Sequence, residues 1–276
     1  MTHKHFVDGG CGYVSLIDHM PQKNLDRSIV EAARISYDAA STTHTSSDRG
    51  LIRYLLRHSH TTPFEMVEFK FAIKMPIFIA RQHLRHRTAS VNEVSARYSE
   101  IKDEFFVPEE LRKQAKVNRQ GSEGSIEYGT DKTGAFKCHN DMSHSFYKEL
   151  MDEWGVCREQ ARMVLPQSMY TEFIWKIDLH NLLHYLRLRM GQDAQAEIRA
   201  YANKIYELVK PLAPMTLEAF EDFRLNAVTF TGPEMECLRA GGGNWDDVDT
   251  STLSKGEERE LREKIRQYIK GCPPTP

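Results

Sequence analysis

What the sequence lacks narrows the choice of protein class. Its five cysteines, at 11, 138, 157, 237 and 272, are odd in number, and no two form a Cys-x-x-Cys pair. That spacing suggests neither a disulfide framework nor a cysteine zinc site, and it fits a reducing compartment. No apolar stretch approaches the roughly 20 residues that span a bilayer, and the first eight residues lack the apolar run of a signal peptide. A cytoplasmic chain with no membrane partner is therefore expected. Charge of either sign is not in excess: 37 Lys and Arg face 39 Asp and Glu, a net charge of −2. General nucleic-acid binding is not expected, although a local basic pocket is allowed. There is no Gly-x-Gly-x-x-Gly fingerprint, no His-Glu-x-x-His and no internal repeat. Any dinucleotide must then be held without a Rossmann turn.

What is present centres on one run, residues 85–98: Arg85, His86, Arg87, Thr88, Ala89, Ser90, Val91, Asn92, Glu93, Val94, Ser95, Ala96, Arg97 and Tyr98. Pro76 suits the first position of a helix that ends near this run, with Ile77, Ala80 and Leu84 on one face and Arg81, Gln82 and Arg85 on another. If residues 92–98 are extended, Glu93, Ser95 and Arg97 share one side of a strand. A carboxylate, a hydroxyl and a guanidinium in a row make a wall for a phosphorylated ligand, with Arg97 as anion clamp. A salt-bridged edge strand accounts for the bare pattern equally well.

The flanking chain alternates helices and strands. Residues 14–20 read as a strand ended by Pro21, and 26–36 as a helix with Asp26 as N-cap and Ile29, Val30 and Ala33 inside. A Ser- and Thr-rich loop spans 41–47, and Asp48 opens a helix carrying Leu51, Ile52, Leu55 and Leu56. Pro63 is expected to push Thr62 into an extended conformation. Val67, Phe69, Phe71 and Ile73 alternate with charged residues as a half-buried strand, and 168–178 repeats that pattern. Residues 109–135, polar and glycine-containing, read as a surface loop or a substrate lid. Helices are expected over 139–154, 157–165, 178–189 and 192–210, and a shorter one up to Phe223. Residues 231–276 read as a tail, with a charged helix over 257–268. The histidine pairs His58/His60 and His180/His184 have metal-like spacing but no third ligand nearby in sequence, so no metal is expected.

Residues 85–98 match, position for position, the signature Arg-His-Arg-x-x-Ser-x-Asn-Glu-x-Ser-x-Arg-Tyr of the flavin-dependent thymidylate synthases. The resemblance extends over about residues 10–225, including His60 to Glu65 and Arg162 to Pro166. It implies an α+β catalytic domain over 1–230, with a central, mainly antiparallel sheet flanked by helices. It also implies methylation of dUMP to dTMP, with 5,10-methylenetetrahydrofolate as carbon donor, FAD as hydride carrier and NADPH, or NADH, as reductant. A homotetramer with sites shared between subunits is implied as well. Gln82, His83, Leu84, Arg85, Glu93, Val94, Ser95, Ala96, Arg97, Arg162 and Arg189 then fall at nucleotide positions, with Arg189 against the pyrimidine. His60, Thr62, Arg85, His86, Arg87, Glu93, Asp178, Leu179, His180 and His184 fall at flavin positions. Many members carry Asn where this chain has Asp178 and His184, so Asp178 is expected to offer its backbone or to meet the adenosine. No cysteine lies in the signature or in 178–189, so a thiol adduct to the ring is not expected. Ser95, with no base beside it in sequence, is expected to bind rather than attack. A nucleic-acid-binding module using the Arg81 to Arg97 cluster, and a metal hydrolase using the four histidines, are the alternatives.

Overall fold

The computed structural model describes residues 3–35, 47–115, 121–126, 132–242 and 248–269. It is the expected α+β fold. Strands β1 (His5–Phe6), β2 (Tyr13–Met20), β3 (Glu68–Pro76), β4 (Ser90–Glu93) and β7 (Tyr170–Asp178) form a sheet in the order β1-β2-β3-β7-β4, with every described pairing antiparallel. It is no Rossmann sheet. Strands β5 (Arg112–Gln114) and β6 (Ser122–Ser125) form a separate small hairpin within 109–135, where only a loop was expected.

The helices are α1 (Leu25–Arg34), α2 (Asp48–Arg57), α3 (Thr62–Glu65), α4 (Ile77–His83), α5 (Lys132–Asp152), α6 (Arg158–Ala161), α7 (Leu179–Arg189), α8 (Ala196–Val209) and α9 (Pro214–Phe220). A 3-10 turn, Arg162–Val164, follows α6, and a wide turn, Glu221–Leu225, extends α9. The centre of the fold is the β3–β7 ladder, paired from Glu68 with Asp178 to Pro76 with Tyr170. Phe69, Phe71 and Ile73 of β3 and Phe173, Trp175 and Ile177 of β7 face one side and are buried. Each large side chain removed from water there contributes roughly 1.5–3 kcal/mol. Both strands run straight into helices, β3 into α4 and β7 into α7.

Several boundaries differ from the sequence expectations for identifiable reasons. Pro63 does not extend Thr62; it sits in the first turn of α3, where a missing N–H has no intrahelical acceptor to lose. Pro76 is the last residue of β3 and stands at the N-cap of α4. The buried face of α4 is Ile79, Ala80 and His83, not Ile77, Ala80 and Leu84. The signature strand stops at Glu93, because Ser95 bends the chain: its Oγ accepts from Arg97 N–H, and its carbonyl from Tyr98 and Ser99 N–H. Glu93, Ser95 and Arg97 therefore do not line one side of a strand. Helix α5 begins before residue 139, and α8 begins at Ala196 rather than 192. Residues 36 and 41–46 lie outside those described; Ser47 caps α2 by accepting from Gly50 N–H at 3.1 Å.

Residues Asn226–Pro276 form a second compact unit. In it α10 (Gly232–Ala240) and α11 (Lys255–Lys264) each begin with a capping box and share a small core of Cys237, Leu238, Val248, Leu261 and Ile265. Lys264 Nζ donates to buried Glu234 at 2.7 Å.

Asp26 is not an N-cap. It lies one residue inside α1, and its carboxylate accepts from the N–H groups of Met215 at 2.8 Å and Thr216 at 3.0 Å and from the Thr216 hydroxyl at 2.6 Å. One buried side chain thus satisfies the start of α9, nearly 190 residues away. Asp26→Ala is expected to lower unfolding free energy by about 2–4 kcal/mol, since hydrogen bonds to a charged group are worth roughly 1.5–3 kcal/mol. A denaturant titration showing no loss would contradict that role.

Candidate active site

The C-terminal ends of α4 and α7 converge over the buried face of the sheet. Helix α7 starts on Asp178, whose Oδ1 accepts from Asn181 N–H at 2.9 Å, and ends with Arg187 and Arg189 in its last turn. Cations suit that negative end of the helix dipole. Arg189 is half-buried, and two groups from the end of α4 and just beyond it hold its guanidinium. Its Nε–H donates to His86 Nε2 at 3.0 Å, and its Nη2 donates to the Gln82 carbonyl at 3.3 Å.

An imidazole nitrogen that accepts from arginine carries no proton, so His86 is neutral with its hydrogen on Nδ1. Burial, then the Arg189 charge and His184, bring its pKa down to about 4. Beneath it His83 is fully buried, its Nδ1 3.1 Å from the Tyr185 hydroxyl and its ring 4.3 Å from that of Trp175. Burial, then His86 and Arg189, bring the His83 pKa down to about 3. His83 is therefore part of the core and closed to a nucleotide; its carbonyl accepts from His86 N–H at 3.2 Å. Burial likewise raises the pKa of Tyr185, so its phenol keeps its proton. Two neutral imidazoles and a phenol thus form a low-charge bed under one guanidinium.

A cavity of about 280 Å³ opens beside this cluster, floored by Leu56, Phe64, Leu183 and Phe220. Its rim carries His60, His180, His184, Arg187 and Arg224. Apolar floor and cationic rim together suit a flat ring bearing phosphates. His60 and His184 are exposed, and the His184 ring lies 5.7 Å from that of His86. Thr62, at the start of α3, is exposed but does not line the cavity. Leu179 is fully buried and its N–H donates to the Val67 carbonyl at 2.7 Å, so neither its side chain nor its N–H is open to a ligand. Both Asp178 oxygens are engaged by Asn181, which leaves the Asp178 main chain rather than its carboxylate for a ligand.

Among the described residues, none of the other predicted residues is hydrogen-bonded to Arg189. Glu93, on edge strand β4, accepts a hydrogen bond from the Thr171 hydroxyl. Val94 N–H donates to the Glu172 carbonyl at 2.9 Å, leading into the turn that holds Ser95, Ala96 and Arg97. Arg162 projects from its 3-10 turn and donates only to the Glu159 carbonyl. Among the described residues no hydrogen bond or ion pair ties Arg85, Arg87, Arg97 or Arg162 to a carboxylate, which leaves their guanidinium groups available to an anion. No three His, Cys, Asp or Glu converge as a metal site among the described residues.

Sequence reasoning passed over Arg187, Arg224 and Ser59. Arg187 was legible, one turn beyond His184 on the His180/His184 face. Arg224 was not: it reaches the site by donating to the Leu56 carbonyl at 2.6 Å and Ser59 Oγ at 2.8 Å, across 165 residues of chain.

Two solved structures of the UMP/dUMP methylase PolB from Streptomyces cacaoi share this fold. One, bound with 5-Br dUMP, is 34% identical with a TM-score of 0.68 and covers 78% of this chain and 97% of its own. The other, bound with 5-Br UMP, is 32% identical with a TM-score of 0.69. The fold is shared with these methylases, and the chain is an enzyme, a methyltransferase. The family described as Thymidylate synthase complementing protein matches residues 15–215. Flavin-dependent thymidylate synthases of Dictyostelium discoideum and Thermus thermophilus are 48% and 50% identical, covering 92% and 83% of this chain and 84% and 82% of their own lengths. The chain belongs to the flavin-dependent thymidylate synthase family.

The depressed histidine pKa values set a pH dependence. An unfolded histidine binds a proton near pH 6.5, whereas folded His83 does so only near 3. Stability from this group is thus fully present above about pH 6.5 and is lost as pH falls towards 3. The unfolding midpoint is expected to drop over that window, and NMR should show the His83 ring unchanged from about pH 8 to 5. A His83 ring that titrates near 6.5 would contradict its burial.

Proposed function

We propose that the Arg189 cluster is the pyrimidine end of a site that methylates C5 of dUMP to give dTMP. The observation that carries this reading is the half-buried guanidinium fixed at the end of α7 by a neutral imidazole and a main-chain carbonyl, beside a cavity with a cationic rim. Pyrimidine C5 is a weak nucleophile until negative charge builds in the ring. A guanidinium already oriented towards that charge stabilises it best where water is partly excluded. The low-charge bed of His83, His86 and Tyr185 adds no competing cation.

Arg97 and Arg162 hold the phosphate, with Arg85, Glu93 and Ser95 along the nucleotide and Gln82 beside Arg189. Ser95 already accepts from Arg97 N–H and has no base in contact, so it binds rather than attacks. A reaction without a thiol adduct is consistent with the described cysteines: Cys237 is buried in the C-terminal unit, and none of Cys11, Cys138 and Cys157 is hydrogen-bonded to Arg189.

His60, His180, His184 and Arg187 would hold the flavin, which we take to be FAD. Arg85 and Arg87 would meet its phosphates, and the main chain opening α7 would meet the cofactor at Asp178. When bound, it supplies a hydride to the carbon delivered by methylenetetrahydrofolate, after reduction by NADPH or NADH. The cavity, at about 280 Å³, is smaller than sites that enclose a drug-sized molecule, roughly 300–1,000 Å³. A flavin dinucleotide is larger than that class of ligand, so we take one chain to supply only part of the flavin site. A homotetramer with shared sites, working in the cytoplasm, completes the reading.

The test is turnover by Arg189→Lys. Lysine keeps a charge but lacks the planar fork, so dTMP formation should fall at least about a hundredfold while flavin still binds and is still reduced by NADPH. A lysine variant with normal turnover would refute the role of Arg189. Parent protein that binds no added FAD would refute the flavin site.

A further inference from the structure

We propose that Tyr147 is a positioning residue for the phosphate end of the nucleotide site, seating the turn that presents Arg97 on the small core that also carries Arg162. This rests on the reading of those two arginines given above. Tyr147 lies in α5 and is fully buried. With Leu150 and Ala161 it forms a core of its own, separate from the one of Trp175 and Tyr185 beneath Arg189.

Arg162 is tied to the small core through its neighbours in sequence. Ala161, just before it, is fully buried there, and Val164 and Leu165, just after it, pack against it. Arg97 is tied to the same core through Ile101, which also packs on it. The turn carrying Arg97 is fixed at its entry, where Val94 N–H donates to the Glu172 carbonyl at 2.9 Å. Its exit is fixed on α5. There the Tyr147 hydroxyl accepts from Ile101 N–H at 3.3 Å, and His144 Nε2 donates to the Ile101 carbonyl at 3.4 Å. Lys148 pairs with Glu100 beside them, but at the surface, where an ion pair contributes little. The phenol makes the sheltered contact, and its loss leaves an amide without a partner.

A short turn fixed at both ends gives its tip few conformations to sample. Arg97 then gives up less freedom when an anion binds, which is the general benefit of preorganisation. A phosphate gains most from guanidinium groups whose forks already face it. Without the Tyr147 hydroxyl the chain beyond Arg97 loosens, and each binding event must order it again. The loss falls on the phosphate and not on the base, because Arg189 stands on the other core.

Binding of dUMP and of deoxyuridine to the full-length, FAD-loaded protein tests this, since only dUMP carries the phosphate. Tyr147→Phe keeps the ring and removes the hydroxyl. It should weaken dUMP about fivefold, leave deoxyuridine at the parent affinity, and raise the KM for dUMP with kcat unchanged. His144→Leu removes the second hold on Ile101 and should shift the same dUMP-to-deoxyuridine ratio about twofold to threefold. Flavin content is the folding control. A parent-like ratio in flavin-loaded Tyr147→Phe overturns the inference, and equal losses for both ligands would mark Tyr147 as packing alone. If Tyr147→Phe does not load flavin, a parent-like ratio in His144→Leu overturns it instead. In each case an Arg97→Ala variant that loses dUMP but not deoxyuridine leaves the phosphate reading standing. A parent that binds dUMP no better than deoxyuridine overturns both.

Discussion

The site depends on the register of β3 against β7. Because each strand passes without a loop into a helix, the pairing from Glu68 with Asp178 to Pro76 with Tyr170 fixes where α4 and α7 leave the sheet. The strands run in opposite directions, so the helices start from opposite ends of the ladder and their C-terminal ends meet over its buried face. That meeting brings His83 to Tyr185 and Gln82 to Arg189. A slip of one residue would turn Phe71 and Trp175 to the open face and would separate those pairs. The apolar alternation that makes the core is therefore also what aims the guanidinium.

The arrangement around Arg189 shows why a histidine stands between Arg85 and Arg87. A third cation at that position would repel the guanidinium, whereas a neutral imidazole accepts its Nε–H. Burial keeps both His86 and the underlying His83 unprotonated at physiological pH. Their neutrality leaves Arg189 as the charge of this cluster, at the proposed pyrimidine end, and it is a guanidinium that cannot lose its proton.

Much of this was legible beforehand. Period-two alternation located β3 and β7, and Asp178 with an apolar run after it located α7. The signature placed His86, Glu93 and Arg97 by resemblance. What remained hidden involved partners distant in sequence. Asp26 looks like a cap for its own helix and instead satisfies Met215 and Thr216. His83 looks like one more polar residue of an arginine-rich helix end, yet it is a core residue, because it lies one turn after Ile79 and Ala80 on the face of α4 turned to Trp175. The bend at Ser95 was masked by a pattern that alternates as a strand would. Ser95 breaks it by bonding its own neighbours, a local competition that alternation does not register.

A single chain holds the two ends of the proposed nucleotide site on separate elements: Arg97 in the turn after β4, Arg162 in the turn after α6, and Arg189 at the end of α7. No contact joins the first two to the third among the described residues, and the cavity beside Arg189 is too small to enclose a dinucleotide. On these grounds we propose that the phosphate end and the base end of each working site come from different copies of the chain. Complementation measures this directly. Arg97→Ala and Arg189→Ala are prepared separately, each inactive, then unfolded, mixed in equal amounts and refolded together. If each site draws these two arginines from different chains, about a quarter of the sites regain both, and dTMP formation recovers in proportion. A mixture that stays as inactive as either variant alone would place both arginines of a site on one chain and contradict the shared site.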